Sequence, residues 1–217
     1  MPVVWFIRHG ESRANVGERT SHPARIELTS AGWEQAKCVA SAFVVPPALI
    51  VISPYVRAKQ TALPTIQRFV NVAQEEWPVQ EFTYLAPYRY SNTTRAERLP
   101  VVNEYWDRKD VNYVDGDGAE SFADFMKRVE NALDRLEQCK TDPVAVFSHG
   151  QFIRAAMWKL LSGSKVITGQ EMAHFRQFLR EFGLPNGAIV KMSFAGKAIK
   201  WMSPILTSHL PMRSIQE

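Results

Sequence analysis

Apolar residues occur along the chain in short unbroken runs: VVWFI at 3–7, ALIVI at 48–52 and VAVF at 144–147. Runs this short, without alternation, predict strands covered on both faces. Elsewhere the period lengthens. LTSAGWEQAKCVASAFV (28–44) predicts a helix capped by Thr29 and stopped by Pro46 and Pro47. SPYVRAKQTALPTIQRF (53–69) predicts another, with Ser53 as N-cap and Pro54 in the first helical position. SFADFMKRVENALDRLEQC (121–139) has Ser121 and Asp124 in capping-box spacing, and its Phe122, Phe125, Met126, Val129, Leu133 and Leu136 recur at helical intervals. GQFIRAAMWKLL (150–161) is apolar along one face, and 170–182 predicts a helix ending at Gly183. AIVKMSF and AIKWMS, joined by AGK, predict two edge strands around a tight turn.

Buried strands alternating with helices predict an α/β fold whose largely parallel sheet is covered by helices on both faces. One domain over 1–217 accommodates this pattern, with a cap inserted at about 83–118. That segment has no clean period and holds five of the six tyrosines, Trp106 and several arginines, among them Arg89, Arg95 and Arg98. Its aromatics suit a cap packed on the sheet, and its position suits a lid over a ligand.

Composition narrows the partners. Apolar residues make up 46% and charged residues 22%, enough for a core, and the net charge is +4. No dense Lys/Arg run is present, so nucleic acid and membrane surfaces are not expected partners, whereas an anionic small molecule is. Cys38 and Cys139 have neither metal spacing nor a disulfide framework. Residues 3–7 are too short for a signal-peptide core, and no run approaches the ~20 apolar residues of a membrane span. A cytoplasmic protein is expected.

The chemistry lies where the buried runs end. The first leads into Arg8-His9-Gly10, the second into Ser53-Pro54 with Arg57 one turn further, the last into Ser148-His149-Gly150. In open parallel sheets ligands bind beyond the carboxyl ends of the strands. If these strands are neighbours, two arginines, two histidines and helix N-termini converge on a site for a dianion such as phosphate. A neutral imidazole whose other nitrogen is held by an acceptor is a competent nucleophile toward phosphorus. A glycine beside each histidine allows close approach of the backbone to a ligand.

RHGESRAN (8–15), LTSAGWEQA (28–36), SPYVRAKQTA (53–62) and the late SHG (148–150) occur in an order that resembles the histidine phosphatase superfamily, with its phosphoglycerate mutase-like fold. The resemblance spans nearly the whole chain. It implies that His9 is the nucleophile that becomes phosphohistidine. Arg8, Arg57 and His149 would complete the phosphate pocket, Asn15 would add a hydrogen-bond donor, and Glu11 and Ser12 would support the loop. His22, His174 and His209 match no motif. The family also uses a carboxylic acid to protonate the leaving oxygen, usually in Leu-x-Glu followed by a Gly-x-Trp-Glu-Gly-like stretch. Here VQEF (79–82) fits the first part and points to Glu81, while the second part is replaced by the tyrosine-rich segment. Asp117 and Glu120 are the alternatives.

The expected activity is hydrolysis of a small-molecule phosphomonoester or other phosphorylated substrate. No HExxH or other ligand-spaced cluster argues for a metal, and no cofactor is expected. Two alternatives remain open: a phosphoglycerate-type mutase, whose long basic lid has no counterpart at 83–118, and a weakly catalytic phospho-ligand binding module.

Overall fold

The apolar runs become adjacent strands of one sheet in the computed structural model, which describes residues 2–163, 166–196 and 198–211. In chain order the elements are β1 (Val4–Arg8), α1 (Ser30–Ser41), β2 (Leu49–Ile52), α2 (Val56–Arg68), β3 (Ala73–Glu76), α3 (Arg95–Arg108), α4 (Phe122–Glu137), β4 (Val144–Ser148), α5 (Gly150–Ser162), α6 (Gly169–Glu181), β5 (Ile189–Ala195) and β6 (Ala198–Met202). The sheet order is β3-β2-β4-β1-β5-β6. β1, β2, β3 and β4 run parallel, and β5 and β6 add antiparallel pairs. This is a mostly parallel α/β fold, as the pattern predicts.

Alternate side chains of each strand point to opposite faces. Val4, Phe6, Val51, Val144 and Val146 enter a core with α4, α5 and α6. Ile7, Ile50, Ala145 and Phe147 meet Val39, Phe43 and Ala62 of the α1–α2 side. The apolar stripe of α4, from Phe122 to Leu136, is buried as its period predicts. Among the described residues, no helix is long and apolar enough to cross a membrane.

Several local expectations are corrected. α1 is capped by the Thr29 side chain but ends at Ser41, short of Pro46. α2 begins at Val56, and its N-cap Tyr55 makes no side-chain capping bond, so Ser53 does not cap it and Pro54 lies outside it. Ser53 is drawn to a histidine instead. β3, an exposed AQEE strand, pairs with β2 at the sheet edge without any apolar signal of its own. β5 is an interior strand beside β1, leaving only β6 at that edge. Of the turn between them, Lys197 lies outside the described residues.

The segment 83–118 contains α3, which opens with a capping box between Thr94 and Glu97. Its aromatics pack downward. Its Tyr105 and Trp106 lie edge-on to Phe82, the residue just before the segment, which itself stacks on Phe125 of α4 at 4.3 Å. Arg89 is held by Asp115 through two bonds of 2.6 and 3.0 Å.

Candidate active site

The register places the three strand ends side by side. Arg8 pairs with Ser148, the His9 amide donates to the Ser148 carbonyl, and the Ser53 amide donates to the Phe147 carbonyl. His9, Arg57, Ser53 and His149 therefore meet although they are far apart in sequence. The loop after β1 is held by close backbone contact. A Cβ on Gly10 would stand 2.5 Å from the Gly32 carbonyl oxygen, and one on Gly32 would stand 2.0 Å from that of Glu11. Gly10 thus serves packing of the loop on the first turn of α1. Gly150 does lie beside a candidate-site side chain, with Arg8 Nε 3.4 Å from its would-be Cβ.

His9 Nδ1 lies 2.7 Å from the carbonyl oxygen of Gly10. A carbonyl can only accept, so Nδ1 carries the proton and Nε2 keeps its lone pair. Arg57 Nε donates to that Nε2 at 3.1 Å, and Arg57 Nη1 donates to the Pro23 carbonyl at 2.6 Å. Burial first, then the charges of Arg57 and Arg8, hold His9 well below the usual histidine range. His149, fully buried, has its ring 5.1 Å from that of His9 and its Nε2 2.7 Å from Ser53 Oγ. Burial, followed by Arg57 and His9, pushes its pKa down as well.

Arg8 donates Nη1 to the Leu184 carbonyl, and burial followed by repulsion from Arg154 pushes it down to about 10. Two buried polar atoms here, Arg8 Nε and His149 Nδ1, have no hydrogen-bond partner among the described residues. Buried polar groups are rarely left so. Asn15 Oδ1 accepts from the Ser12 amide at 3.0 Å and the Ser12 hydroxyl at 2.8 Å, which ties Ser12 into the loop and directs the Asn15 amide nitrogen elsewhere. Glu11 accepts from the Thr29 hydroxyl at 2.6 Å.

Glu81 arrives from another direction. The Ser148 hydroxyl donates to the Val79 carbonyl at 2.6 Å, and Arg128 donates to the carbonyls of Pro78 and Gln80, so residues 78–81 cross the strand ends. Glu81 Oε1 then accepts the Gln151 and Phe152 amides at the start of α5, at 2.9 and 3.3 Å. The alternatives lie elsewhere. Glu120 is held by two bonds from Arg128 at 2.6 and 3.0 Å, and Asp117 is exposed. Glu81, Arg8 and Asn15 line both a cavity of about 140 Å³ that includes His9 and Arg57 and a larger one of about 390 Å³. His22 and His174 line neither cavity, and His209 bonds the Gly187 carbonyl at 3.0 Å. Among the described residues, no group of three His, Cys, Asp or Glu side chains is arranged to hold a metal ion.

The family model of the histidine phosphatase superfamily (branch 1) matches residues 4–201. The chain belongs to this superfamily. Solved histidine phosphatase-like structures agree in fold. A putative α-ribazole-5'-P phosphatase from Escherichia coli is 22% identical with a TM-score of 0.71, over 96% of this chain and 98% of that one. A phosphoserine phosphatase from Entamoeba histolytica is 24% identical with a TM-score of 0.71, over 97% and 100%. A mycobacterial glucosyl-3-phosphoglycerate phosphatase is 25% identical with a TM-score of 0.66, over 89% and 93%. No curated protein sequence matches the chain.

Some residues of the site escape a sequence reading. Arg154 sits one turn into α5, whereas Arg57 is the second residue of α2, so no shared helical spacing marks Arg154 in the sequence. Ser53, bonded to His149, reads as a helix cap. Asn186 donates to the carbonyls of His9 and Gly10 at 3.0 and 3.3 Å from a turn before β5, with no local signal beyond its Asn-Gly dipeptide.

Proposed function

We propose that this superfamily member hydrolyses phosphomonoesters of small molecules through a phosphohistidine on His9. The observation that carries the reading is the His9 imidazole, whose Nδ1 is fixed on a carbonyl and whose Nε2 keeps its lone pair beside Arg57. On substrate binding Arg57 passes its N–H from Nε2 to a phosphoryl oxygen. Arg8 Nε and His149 supply further contacts, and the Asn15 amide adds a donor. Nε2 attacks phosphorus, the P–O ester bond breaks, and protonated Glu81 gives its proton to the leaving oxygen. The resulting Glu81 carboxylate takes a proton from water as that water attacks the phosphohistidine, so phosphate leaves and His9 is restored. Arginines placed where phosphoryl charge redistributes perform the role of electrostatic stabilisation.

The relatives' names support a small phosphorylated substrate, since one structure holds phosphoserine and another 3-phosphoglyceric acid. The free thiols Cys38 and Cys139 support a reducing compartment such as the cytoplasm. Rapid quenching with labelled substrate should trap an acid-labile phosphoenzyme, and His9→Ala should lose both label and turnover. Label retained by the variant would remove the covalent step. His149→Ala should be severely impaired in the same assay. With arginines supplying the positive charge, turnover should also survive exhaustive chelation. A loss restored by one divalent metal would contradict this assignment.

A further inference from the structure

The larger cavity, about 390 Å³, has six arginines in its wall, Arg8, Arg95, Arg98, Arg154, Arg176 and Arg180, against one carboxylate, Glu81. α3 supplies Arg95 and Arg98 one turn apart, and α6 supplies Arg176 and Arg180 one turn apart. Their bonds mostly hold them without neutralising them. Arg154 donates to the carbonyls of Gly150, Leu179 and Phe182, and Arg98 donates to Thr20 and Thr93. Arg176 alone reaches a carboxylate among the described residues, that of Asp107. Arg95 and Arg180 are exposed and form no ion pair among the described residues.

These charges act on one another. After burial, Arg154 lowers Arg8; Glu81 opposes this, and Arg95 adds a smaller lowering to both Arg8 and Arg154. Arg95 is in addition the first residue of α3, where the positive end of the helix dipole disfavours a cation. Arg154, Arg98 and Arg176 have structural bonds, whereas Arg95 and Arg180 form no ion pair among the described residues, and a bound anion relieves the repulsion of the set. Because Arg8, Glu81 and Arg98 line both cavities, the two adjoin. For a phosphoryl group at His9, the larger cavity is an adjoining space that can take the leaving group. Leu85 and Trp106 give that space an apolar wall for connecting carbons. Its volume is at the small end of ligand pockets, roughly 300–1,000 Å³.

We infer that the substrate's leaving group carries a second anionic group, a carboxylate or phosphate, held among Arg95, Arg154 and Arg180; this rests on the phosphatase reading of the smaller pocket. The test uses phosphonates, which the protein cannot hydrolyse. Calorimetry on the wild-type protein compares ω-carboxyalkyl phosphonates of two to five carbons with their primary amides and with α,ω-bisphosphonates. At the best chain length the acid or the bisphosphonate should bind about tenfold or more tightly than the amide. Which of the two gains more distinguishes a carboxylate from a phosphate. The Arg95→Gln/Arg180→Gln double variant should lose most of that ratio. Arg95→Gln alone should melt no lower than the parent, so a general loss of folding cannot mimic the result. Equal affinities for acid, bisphosphonate and amide at every length would overturn the inference, as would a full preference in the double variant. Turnover of the matching phosphate esters is read separately. Preference without turnover keeps the second anion and removes the hydrolase reading, and turnover without preference does the reverse.

Discussion

An imidazole attacks phosphorus only through an unprotonated nitrogen, and the surroundings of His9 keep it neutral by burial and by Arg57 and Arg8. His149 is held low by burial, then by Arg57 and His9. In the unfolded chain both imidazoles take up protons near pH ~6.5. Below that value the unfolded state binds more protons than the folded one, so stability is present above it and is lost as pH falls toward the folded pKa values. The expected slope is up to about 1.4 kcal/mol per pH unit for each histidine, measured by urea denaturation between about pH 7 and 5.5. His149→Gln should remove one share of that slope. A flat profile in the parent would show that the folded imidazoles titrate normally. Glu81 is tested by leaving group. Glu81→Gln should slow phosphoenzyme formation ~10²–10⁴-fold with an alkyl phosphate and far less with a nitrophenyl phosphate, whose phenolate needs little protonation. Single-turnover measurements isolate that step from the water attack that the same carboxylate would assist under this proposal. Equal small losses on both esters would clear Glu81 of this role.

At the scale of elements, the site depends on how tightly the loop after β1 sits on α1. Thr29 joins the two: its hydroxyl accepts the Gly32 amide at 3.1 Å and donates to Glu11 at 2.6 Å. Gly32 is needed because the Glu11 carbonyl occupies the space of a side chain, 2.0 Å from a Cβ there. The obstacle is backbone on both sides and cannot rotate away. Gly32→Ala should cost at least ~1–3 kcal/mol by overpacking and displace His9 from its partners. Thermal melting and kcat should fall together, while Ala31→Ser, at the exposed neighbouring position, should change neither. A Gly32→Ala protein with parental melting would mean that the loop can yield without cost.

For the molecule as a whole, we propose that 1–217 is one cooperative domain in which the 83–118 segment has no core of its own. Tyr105, Trp106 and Phe82 belong to the same buried cluster as Val4 of β1 and Phe125 of α4. Phe82 is 1% exposed, and its truncation to alanine should cost ~3–5 kcal/mol of the whole fold. Far-ultraviolet dichroism and tryptophan fluorescence should then report one coincident transition in both the parent and Phe82→Ala. A separate early transition would mark the cap as an independent unit.

What the chain determines locally was readable from its order of residues: buried runs, helical stripes, the Thr29 cap, and the strand ends carrying Arg8, His9, Arg57 and His149. These follow from side-chain period and capping, which act within a turn or two of the chain. α3 was hidden because its buried residues are only Arg98, Tyr105 and Trp106, although Thr94 and Glu97 mark its start. β3 was hidden because an exposed edge strand takes its conformation from pairing with β2 rather than from its own side chains. Tertiary structure alone decided that Ser53 meets His149 instead of capping α2, that Glu81 reaches the start of α5, and that arginines from α3, α5 and α6 surround one hollow. Those outcomes depend on which strands become neighbours. Periodicity shows which face of an element is buried, but it carries no record of the partner that covers that face.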